Sequence, residues 1–268
     1  MTQQAFEHVL LENSLRRAID NTQLLLLYQP QIDLVSGELV GVEALVRWRH
    51  SDLGLIAPER FIPVAEESDL IERVGEWVLN QACRQASDWL ARGHVFGRMA
   101  VNVACRQYHR QGMVPVVERA LAATGLHAEA LELEVTETLL MEEMSLVVEQ
   151  MCALKELGVR LSIDDFGTGY SSLAYLKALP VGKLKIDRSF VRDIPGAPDD
   201  MAISSAIIAL ANSLQMQVVA EGVENQAQAD FLLRAGCRHA QGFLFSEPLS
   251  PEAFENYLRL EPRARLPD

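Results

Sequence analysis

Residues 159–169 are the most informative segment of this chain and read Val159-Arg160-Leu161-Ser162-Ile163-Asp164-Asp165-Phe166-Gly167-Thr168-Gly169. Its apolar first half predicts a buried strand, and two adjacent carboxylates, Asp164 and Asp165, stand where that strand gives way to a glycine-rich loop. Neighbouring anions repel each other, so a fold keeps them together only if a cation compensates their charge. Adjacent acids at a strand end, with further acids at other strand ends, predict a divalent-metal site.

Composition sets the outer limits of this interpretation. The chain has 268 residues and is 49% hydrophobic, which suits one large α/β domain or two small ones. Its net charge of −13 argues against a nucleic-acid polymer as partner, whereas a small anionic ligand is possible if metal ions offset the acids. The cysteines lack C-x-x-C spacing and are expected to be buried free thiols in a reducing compartment; they are Cys83, Cys105, Cys152 and Cys237.

The sequence has no basic-then-apolar signal segment at its start and no apolar run of membrane-spanning length. We therefore expect a cytoplasmic domain that makes no membrane contact, although a longer parent protein could be membrane-anchored.

The order of predicted elements points to a barrel. An opening hairpin pairs Leu24–Leu34 with Leu39–Trp48 across the turn 35–38, and helices and strands alternate after it. Further strands are predicted at Met99–Val103, Leu131–Val135, Val159–Ile163, Lys183–Ile186, Gln217–Ala220 and His239–Phe243. Helices are predicted at Phe6–Asp20, Pro58–Ala91, Met113–Thr124, Met141–Leu157, Ser171–Leu179, Asp200–Leu214, Gln226–Ala235 and Pro251–Leu258. The eight strands favour a (β/α)8 barrel, with a doubly wound sheet as the competing fold.

Polar residues at the predicted strand ends help to choose between these folds. A different strand carries each of Glu43, Asn102, Glu134, Asp164, Lys185, Glu221 and Gln241. Residues from seven strands of an open sheet could not meet at one point, but the C-terminal strand ends of a barrel form a ring. Each residue taken singly could be a solvent-facing polar group. Together they favour the barrel.

Several short motifs follow one another between about Leu24 and Leu258. They are Tyr28-Gln29-Pro30, Glu43-Ala44-Leu45-Val46-Arg47-Trp48, Phe61-Ile62-Pro63-Val64-Ala65-Glu66, Val101-Asn102-Val103, Glu134-Val135-Thr136-Glu137, Asp164-Asp165-Phe166-Gly167-Thr168-Gly169, Leu184-Lys185-Ile186-Asp187, Ala220-Glu221-Gly222-Val223-Glu224 and Gln241-Gly242-Phe243. In this order they resemble the EAL-domain family of cyclic di-GMP phosphodiesterases. The resemblance implies a modified TIM-like (β/α)8 barrel with an antiparallel first strand, over residues 23–262. Residues 1–22 would be a linker helix and residues 263–268 a C-terminal tail.

The resemblance also implies a reaction, the metal-dependent opening of cyclic di-GMP to linear 5′-pGpG. By the family pattern, a first ion is held by Glu43, Asn102, Glu134 and Asp164, and a second by Asp164, Asp165 and Glu221. These hard oxygen ligands suit Mg²⁺ or Mn²⁺, and Ca²⁺ is expected to inhibit. Lys185 would polarise the attacking water, and Glu221 could accept its proton.

Other matching positions imply substrate and loop contacts. The expected substrate-binding residues are Gln29, Leu45, Arg47, Asp187, Glu224, Gln241, Phe243 and Pro248, with Phe243 standing where the family usually has Tyr. Glu137 is expected to anchor the loop that contains Gly167, Thr168, Gly169 and Ser171, which in the family links the metal site to a homodimer interface. Because the family commonly follows a GGDEF domain, the parent chain could carry GGDEF and sensory domains upstream.

Three functions remain open on these residues. The first is an active phosphodiesterase, favoured because every expected metal ligand and Lys185 are present. The second is a catalytically silent cyclic di-GMP receptor, and the third is a regulatory domain that acts only through its dimer surface.

Overall fold

A computed structural model describes residues 3–108, 112–137, 144–169 and 176–260. Its strands are β1 (Leu24–Asp33), β2 (Leu39–His50), β3 (Gly54–Ile56), β4 (Arg98–Val103), β5 (Leu131–Thr136), β6 (Arg160–Phe166), β7 (Lys183–Ile186), β8 (Gln217–Ala220) and β9 (His239–Ala240). Its α-helices are α1 (Gln3–Asp20), α2 (Pro58–Glu67), α3 (Leu70–Ala91), α4 (Met113–Thr124), α5 (Met144–Glu156), α6 (Pro198–Ser213), α7 (Gln226–Ala235) and α8 (Pro251–Leu260).

Eight of these strands close into a barrel. The order around it is β1-β9-β8-β7-β6-β5-β4-β2, and pairing between β1 and β2 completes the ring. Strand β1 is antiparallel to both of its neighbours, whereas the other adjacent strands of the ring run parallel to each other. The predicted barrel with an antiparallel first strand is therefore confirmed. It brings the C-terminal ends of the parallel strands to one rim.

The elements differ from the sequence prediction in several places, beyond shifts of one to three residues at other element ends. The predicted helix over 58–91 is two helices, because the backbone at Ser68 is extended and the Ser68 hydroxyl donates to the Val64 carbonyl. Strand β3 was not predicted, since only three residues pair with β2. The last strand ends at Ala240 rather than at residue 243. Beyond it, Gly242 lies so close to the Val223 backbone that a Cβ would overlap it.

Two predicted helices lie partly outside the described residues. The helix expected over 141–157 is described from Met144 to Glu156, and residues 171–175 of the helix expected over 171–179 are not described.

The helices pack around the barrel through large aromatic side chains. The ring of Trp89 on α3 stacks on Phe254 of α8 with centroids 5.0 Å apart, and meets Tyr28 of β1 edge-on at 4.8 Å. All three side chains are buried. Because such contacts add to the free energy of burial, this cluster fixes the antiparallel strand β1 against the outer helices.

Candidate active site

The ammonium group of Lys185 on β7 stands at the centre of an acidic cluster inside the rim of the barrel. Its Nζ lies 2.6 Å from Glu134 Oε2, 2.7 Å from Glu221 Oε1, 3.1 Å from Asp164 Oδ1 and 3.3 Å from Glu43 Oε2. The acids come from or just follow β2, β5, β6 and β8, so the barrel gathers residues that are far apart in sequence. Lys185 itself is fully buried.

Two amide side chains, one on β4 and one that follows β9, orient Glu43. Asn102 Nδ2 donates to Glu43 Oε1 at 2.7 Å, and Gln241 Nε2 donates to Glu43 Oε2 at 2.6 Å. Gln241 Nε2 also donates to Gln29 Oε1 at 2.9 Å. Both carboxylate oxygens of Glu43 therefore have fixed directions, and Gln29 joins the same network.

The electrostatics of the cluster are dominated by burial. Burial, together with the charges of neighbouring acids, raises the pKa of Glu134 and of Glu221 well above its ordinary value. Burial also opposes ionisation of Glu43, but Lys185 and the hydrogen-bond donors around it hold the pKa of Glu43 below its usual range. Burial alone would lower the pKa of Lys185, and the surrounding acids raise it well above its ordinary value instead.

Asp165 extends the acidic cluster toward the outside of the barrel. Its backbone has a φ of +52°, which is unusual for a residue other than glycine, and its amide donates to Asp164 Oδ1 at 2.9 Å. Burial, and then the charges of Asp164 and Asp187, raise the pKa of Asp165 to about 6. The bend at Asp165 thus keeps two like charges side by side, as the sequence predicted.

The arrangement fits divalent cations. Within the described residues, one group of carboxylates consists of Glu43, Glu134 and Asp164 and another of Asp164, Asp165 and Glu221, with the oxygens of each group within 4.8 Å of one another. Glu134 Oε1 is buried and accepts no hydrogen bond from the described residues. Five carboxylates face a single ammonium, so full ionisation requires added positive charge. Oxygen donors of this kind suit Mg²⁺ or Mn²⁺.

Glu137 holds the loop that follows β6. Its Oε2 accepts hydrogen bonds from the amides of Gly167 at 2.9 Å and Gly169 at 3.2 Å. The hydroxyl of Thr168 donates to the Asp165 carbonyl at 2.8 Å, which tightens the same turn. Ser171, also predicted to belong to this loop, lies outside the described residues.

The predicted substrate-binding residues lie around the same rim. Leu45 and Arg47 are partly exposed on the part of β2 that extends beyond Glu43, and Arg47 Nη1 donates to the Val46 carbonyl at 2.8 Å. Four more follow the ends of β7, β8 and β9 and are at least partly exposed; they are Asp187, Glu224, Phe243 and Pro248. The remaining two, Gln29 and Gln241, are buried in the network around Glu43. The Phe243 side chain is 59% exposed, so its ring is open to a ligand.

One buried ion pair was missed from the sequence. Lys183 Nζ lies 2.6 Å from Glu132 Oε1 and donates to Gln31 Oε1 at 3.3 Å. These two charged residues precede Lys185 and Glu134 by two positions, so they face the barrel interior one layer below the cluster. The alternating charges of Glu132-Leu133-Glu134 and Lys183-Leu184-Lys185 were the signal that could have revealed this layer.

Among the described residues, no helix combines the length and the apolar character needed to cross a membrane.

Comparison with known proteins places this site in a family. The family described as EAL domain matches residues 12–248. In Pseudomonas aeruginosa, the bifunctional diguanylate cyclase/cyclic di-GMP phosphodiesterase MucR is 46% identical over 94% of this chain and 37% of its own length. The cyclic di-GMP phosphodiesterase NbdA from the same organism is 48% identical over 95% of this chain and 33% of its own length. The chain thus spans about a third of the length of these relatives.

A solved structure agrees with these sequence matches. The structure described as the PaMucR phosphodiesterase in complex with c-di-GMP superimposes with a TM-score of 0.88 at 47% identity, covering 91% of this chain and 99% of that one. Residues 12–248, which match the EAL domain family, contain the barrel strands and every acid of the cluster around Lys185. The chain therefore belongs to the EAL domain family.

Proposed function

We propose that this domain hydrolyses cyclic di-GMP to linear 5′-pGpG in a reaction that depends on two divalent cations. The observation that carries the proposal is the cluster of acids around Lys185, in which Asp164 belongs to both possible cation groups. The names of MucR and NbdA supply the substrate and the reaction class.

The ligand sets are part of the proposal. Glu43, Asn102, Glu134 and Asp164 would hold one ion, and Asp164, Asp165 and Glu221 the other. Because Asn102 donates through Nδ2 to Glu43, its carbonyl oxygen remains available as a ligand. When bound, a pair of Mg²⁺ or Mn²⁺ ions would supply an activated water near neutral pH and neutralise charge on the phosphate.

Protein groups would position the attacking water and take up its proton. Lys185 has three N–H donors and four acids within 3.3 Å of its Nζ. If bound cations took up some of these carboxylate oxygens, an N–H of Lys185 would be free to donate to the water. Glu221 has the most exposed side chain of these acids, at 18%, and its Oε1 contacts Lys185. Its access to solvent suits Glu221 to accept a proton at the carboxylate oxygen that does not contact Lys185, and to release it afterwards.

The rim would bind the dinucleotide. Arg47 offers a planar guanidinium suited to a phosphate oxygen, and Phe243 offers a ring that can pack on a base. The remaining proposed contacts are Gln29, Leu45, Asp187, Glu224, Gln241 and Pro248.

The wider setting is proposed from the family resemblance. The catalytic unit would span residues 23–262 of a cytoplasmic region, with residues 1–22 as a linker helix and residues 263–268 as a tail. It would act as a homodimer, with Glu137 coupling the loop after β6 to the interface. GGDEF and sensory domains upstream are part of the same proposal.

The test is incubation of the protein with cyclic di-GMP and Mg²⁺ or Mn²⁺, with product analysis by chromatography. Formation of pGpG, abolished by EDTA, is the expected result. Tight binding of cyclic di-GMP without turnover would contradict it and support the silent receptor. If the protein does not bind cyclic di-GMP, the result would contradict the proposal and support a regulatory domain that acts only through its dimer surface.

A further inference from the structure

The side chain of Gln228 joins the two loops that follow β7 and β8. These are the β7 loop, residues 187–193, and the β8 loop, residues 221–225. Gln228 Oε1 accepts from the amides of Glu224 at 2.7 Å and Asn225 at 3.1 Å. Its Nε2 donates to the carbonyls of Val191 at 3.1 Å and Arg192 at 2.8 Å. Four backbone groups from two loops thus meet at one side-chain amide.

This amide is shielded from water. The Gln228 residue is only 1% exposed, and buried amides are costly unless they are hydrogen-bonded. Part of the arrangement is a capping box at the start of α7. In it, the backbone N–H of Gln228 donates to Asn225 Oδ1, and the Gln228 side chain accepts from the backbone N–H of Asn225. A capping box accounts for the bond to the Asn225 amide, but it requires no bonds to the β7 loop.

The two loops also touch directly above the barrel. A Cβ on Gly222 would lie 2.7 Å from the Arg188 Cβ, so the β8 loop runs against the β7 loop immediately after Glu221. The Phe190 carbonyl accepts from the buried Ser204 hydroxyl of α6 at 2.8 Å, which anchors the β7 loop from outside. The β7 loop is therefore a fixed support. The Glu221 amide holds the start of the β8 loop through the Ile186 carbonyl at 3.1 Å, and Gln228 ties the end of that loop to the β7 loop.

We propose that Gln228 is a positioning residue that holds Glu221 in place by tying the β8 loop to the β7 loop. Glu221 is the first residue of the β8 loop, and Gln228 bonds the last two residues of that loop. Loss of the tie would let Glu221 move away from Lys185, to which its Oε1 is now 2.7 Å distant. This inference rests on the proposed function for its kinetic consequence but not for its structural one.

The expected effect falls on turnover rather than on substrate binding. Gln228 lies behind the loops and contacts their backbone. Of the proposed substrate contacts it bonds only the backbone amide of Glu224, and the others are spread around the rim. A displaced Glu221 would misplace one ligand of the proposed cation pair and the proposed proton acceptor. Misplacement of a catalytic group by about 1 Å can cost about a hundred-fold in rate.

The test compares Gln228→Met, which removes all four hydrogen bonds at similar volume, with Asn225→Ala, which removes only the cap of α7. We expect Gln228→Met to lower kcat by about ten-fold or more with KM within about three-fold of wild type. Its affinity for Mn²⁺, measured by titration calorimetry, should fall by a similar factor because a ligand is displaced. Asn225→Ala should lower the unfolding temperature while kcat and Mn²⁺ affinity stay within about two-fold of wild type.

Unchanged kcat and Mn²⁺ affinity in Gln228→Met would overturn the inference, and so would equal losses in Asn225→Ala. If Gln228→Met does not fold, Gln228→Glu replaces it under the same criteria, because it keeps the acceptor side of the tie and sets a carboxylate oxygen against two carbonyls. If the wild-type protein binds Mn²⁺ but does not hydrolyse cyclic di-GMP, the proposed function fails. The Mn²⁺ affinities then decide the inference alone.

Discussion

Lys185 Nζ and Glu134 Oε2 lie 2.6 Å apart, and neither side chain has any exposed surface. The pair joins β7 to β5 across the interior of the barrel, with Asp164 on the strand between them. Because a buried ammonium requires compensating charge and a buried carboxylate requires hydrogen bonds, neither residue can be changed without altering the whole cluster. Substitutions of Lys185 or of the acids around it are therefore expected to affect the whole cluster.

Replacing Lys185 by Arg should reduce kcat by at least about a hundred-fold while charge is conserved. The ammonium contacts four acids within 3.3 Å, and a larger planar guanidinium cannot occupy that space with the same directions. Steady-state hydrolysis of cyclic di-GMP measures the effect, with Lys155→Arg on the exposed end of α5 as the matched control. A Lys185→Arg variant that retains kcat would show that Lys185 is only an ion-pair partner.

Removing a single proposed metal ligand should abolish turnover. We expect this for Glu43→Ala, Asp164→Asn and Glu221→Ala, because each removes one of the three carboxylates from at least one cation group. Turnover at saturating Mn²⁺ and Mn²⁺ affinity by calorimetry should fall together. The control is Glu156→Ala, which removes an exposed acid of α5 and should leave both unchanged. Full activity in any of the three variants would refute the role assigned to that acid.

Calcium should permit binding of cyclic di-GMP but block its hydrolysis. Ca²⁺ prefers longer and more variable coordination than Mg²⁺, so an attacking water on it is expected to be misplaced. Binding in Ca²⁺ can be followed by calorimetry and product formation by chromatography, with Mg²⁺ added afterwards to restore turnover. Rapid hydrolysis in Ca²⁺ alone would contradict the proposed geometry.

The sequence predicted the parts of the fold that follow local rules. The apolar run before Asp164 became β6, and the hairpin at 24–48 became β1 and β2, because short apolar strands and turns are specified by neighbouring residues. The break at Ser68 was not predicted, although the polar run 66–69 interrupts the apolar pattern there. Such a run also fits the exposed face of one continuous helix, so the local pattern alone does not specify the break.

The site was predictable to the same extent. The acids at the rim could be named because each lies in or just past a different predicted strand. The tie made by Gln228 could not, because its partners at 191 and 192 are far away in sequence and are backbone carbonyls, which carry no sequence signal. The buried pair of Lys183 and Glu132 was only partly predictable. The alternating charges were visible in the sequence, but the sequence did not show that these two residues contact each other across the barrel.

The pair of Asp33 and Arg238 should make stability depend on pH. Burial opposes ionisation of Asp33, but hydrogen bonds from the Val35 and Ser36 amides and from Arg238 lower its pKa below its ordinary value. A carboxyl whose pKa is lower in the folded state stabilises the protein above its unfolded-state pKa of about 3.9, and this contribution is lost as pH falls through the folded-state pKa.

Urea unfolding of wild type and Asp33→Asn across pH 7 to pH 3 measures this contribution. The difference in free energy of unfolding between the two proteins should be constant above about pH 5 and should shrink below about pH 4. Comparing the two proteins at each pH removes the contributions of other acids. A difference that does not change with pH would mean that Asp33 titrates alike in the folded and unfolded states.

Replacing Lys183 alone should destabilise the barrel more than replacing both Lys183 and its buried partner Glu132. Lys183→Met leaves the carboxylate of Glu132, 2% exposed, without its cation, and we expect a loss of about 3–5 kcal/mol in the free energy of unfolding. The double variant Lys183→Met/Glu132→Leu buries apolar groups of similar volume and should recover most of that loss, because the desolvation cost of both charges disappears. Urea unfolding of the wild-type protein, both single variants and the double variant completes the cycle. Additive losses would show that the two side chains do not interact.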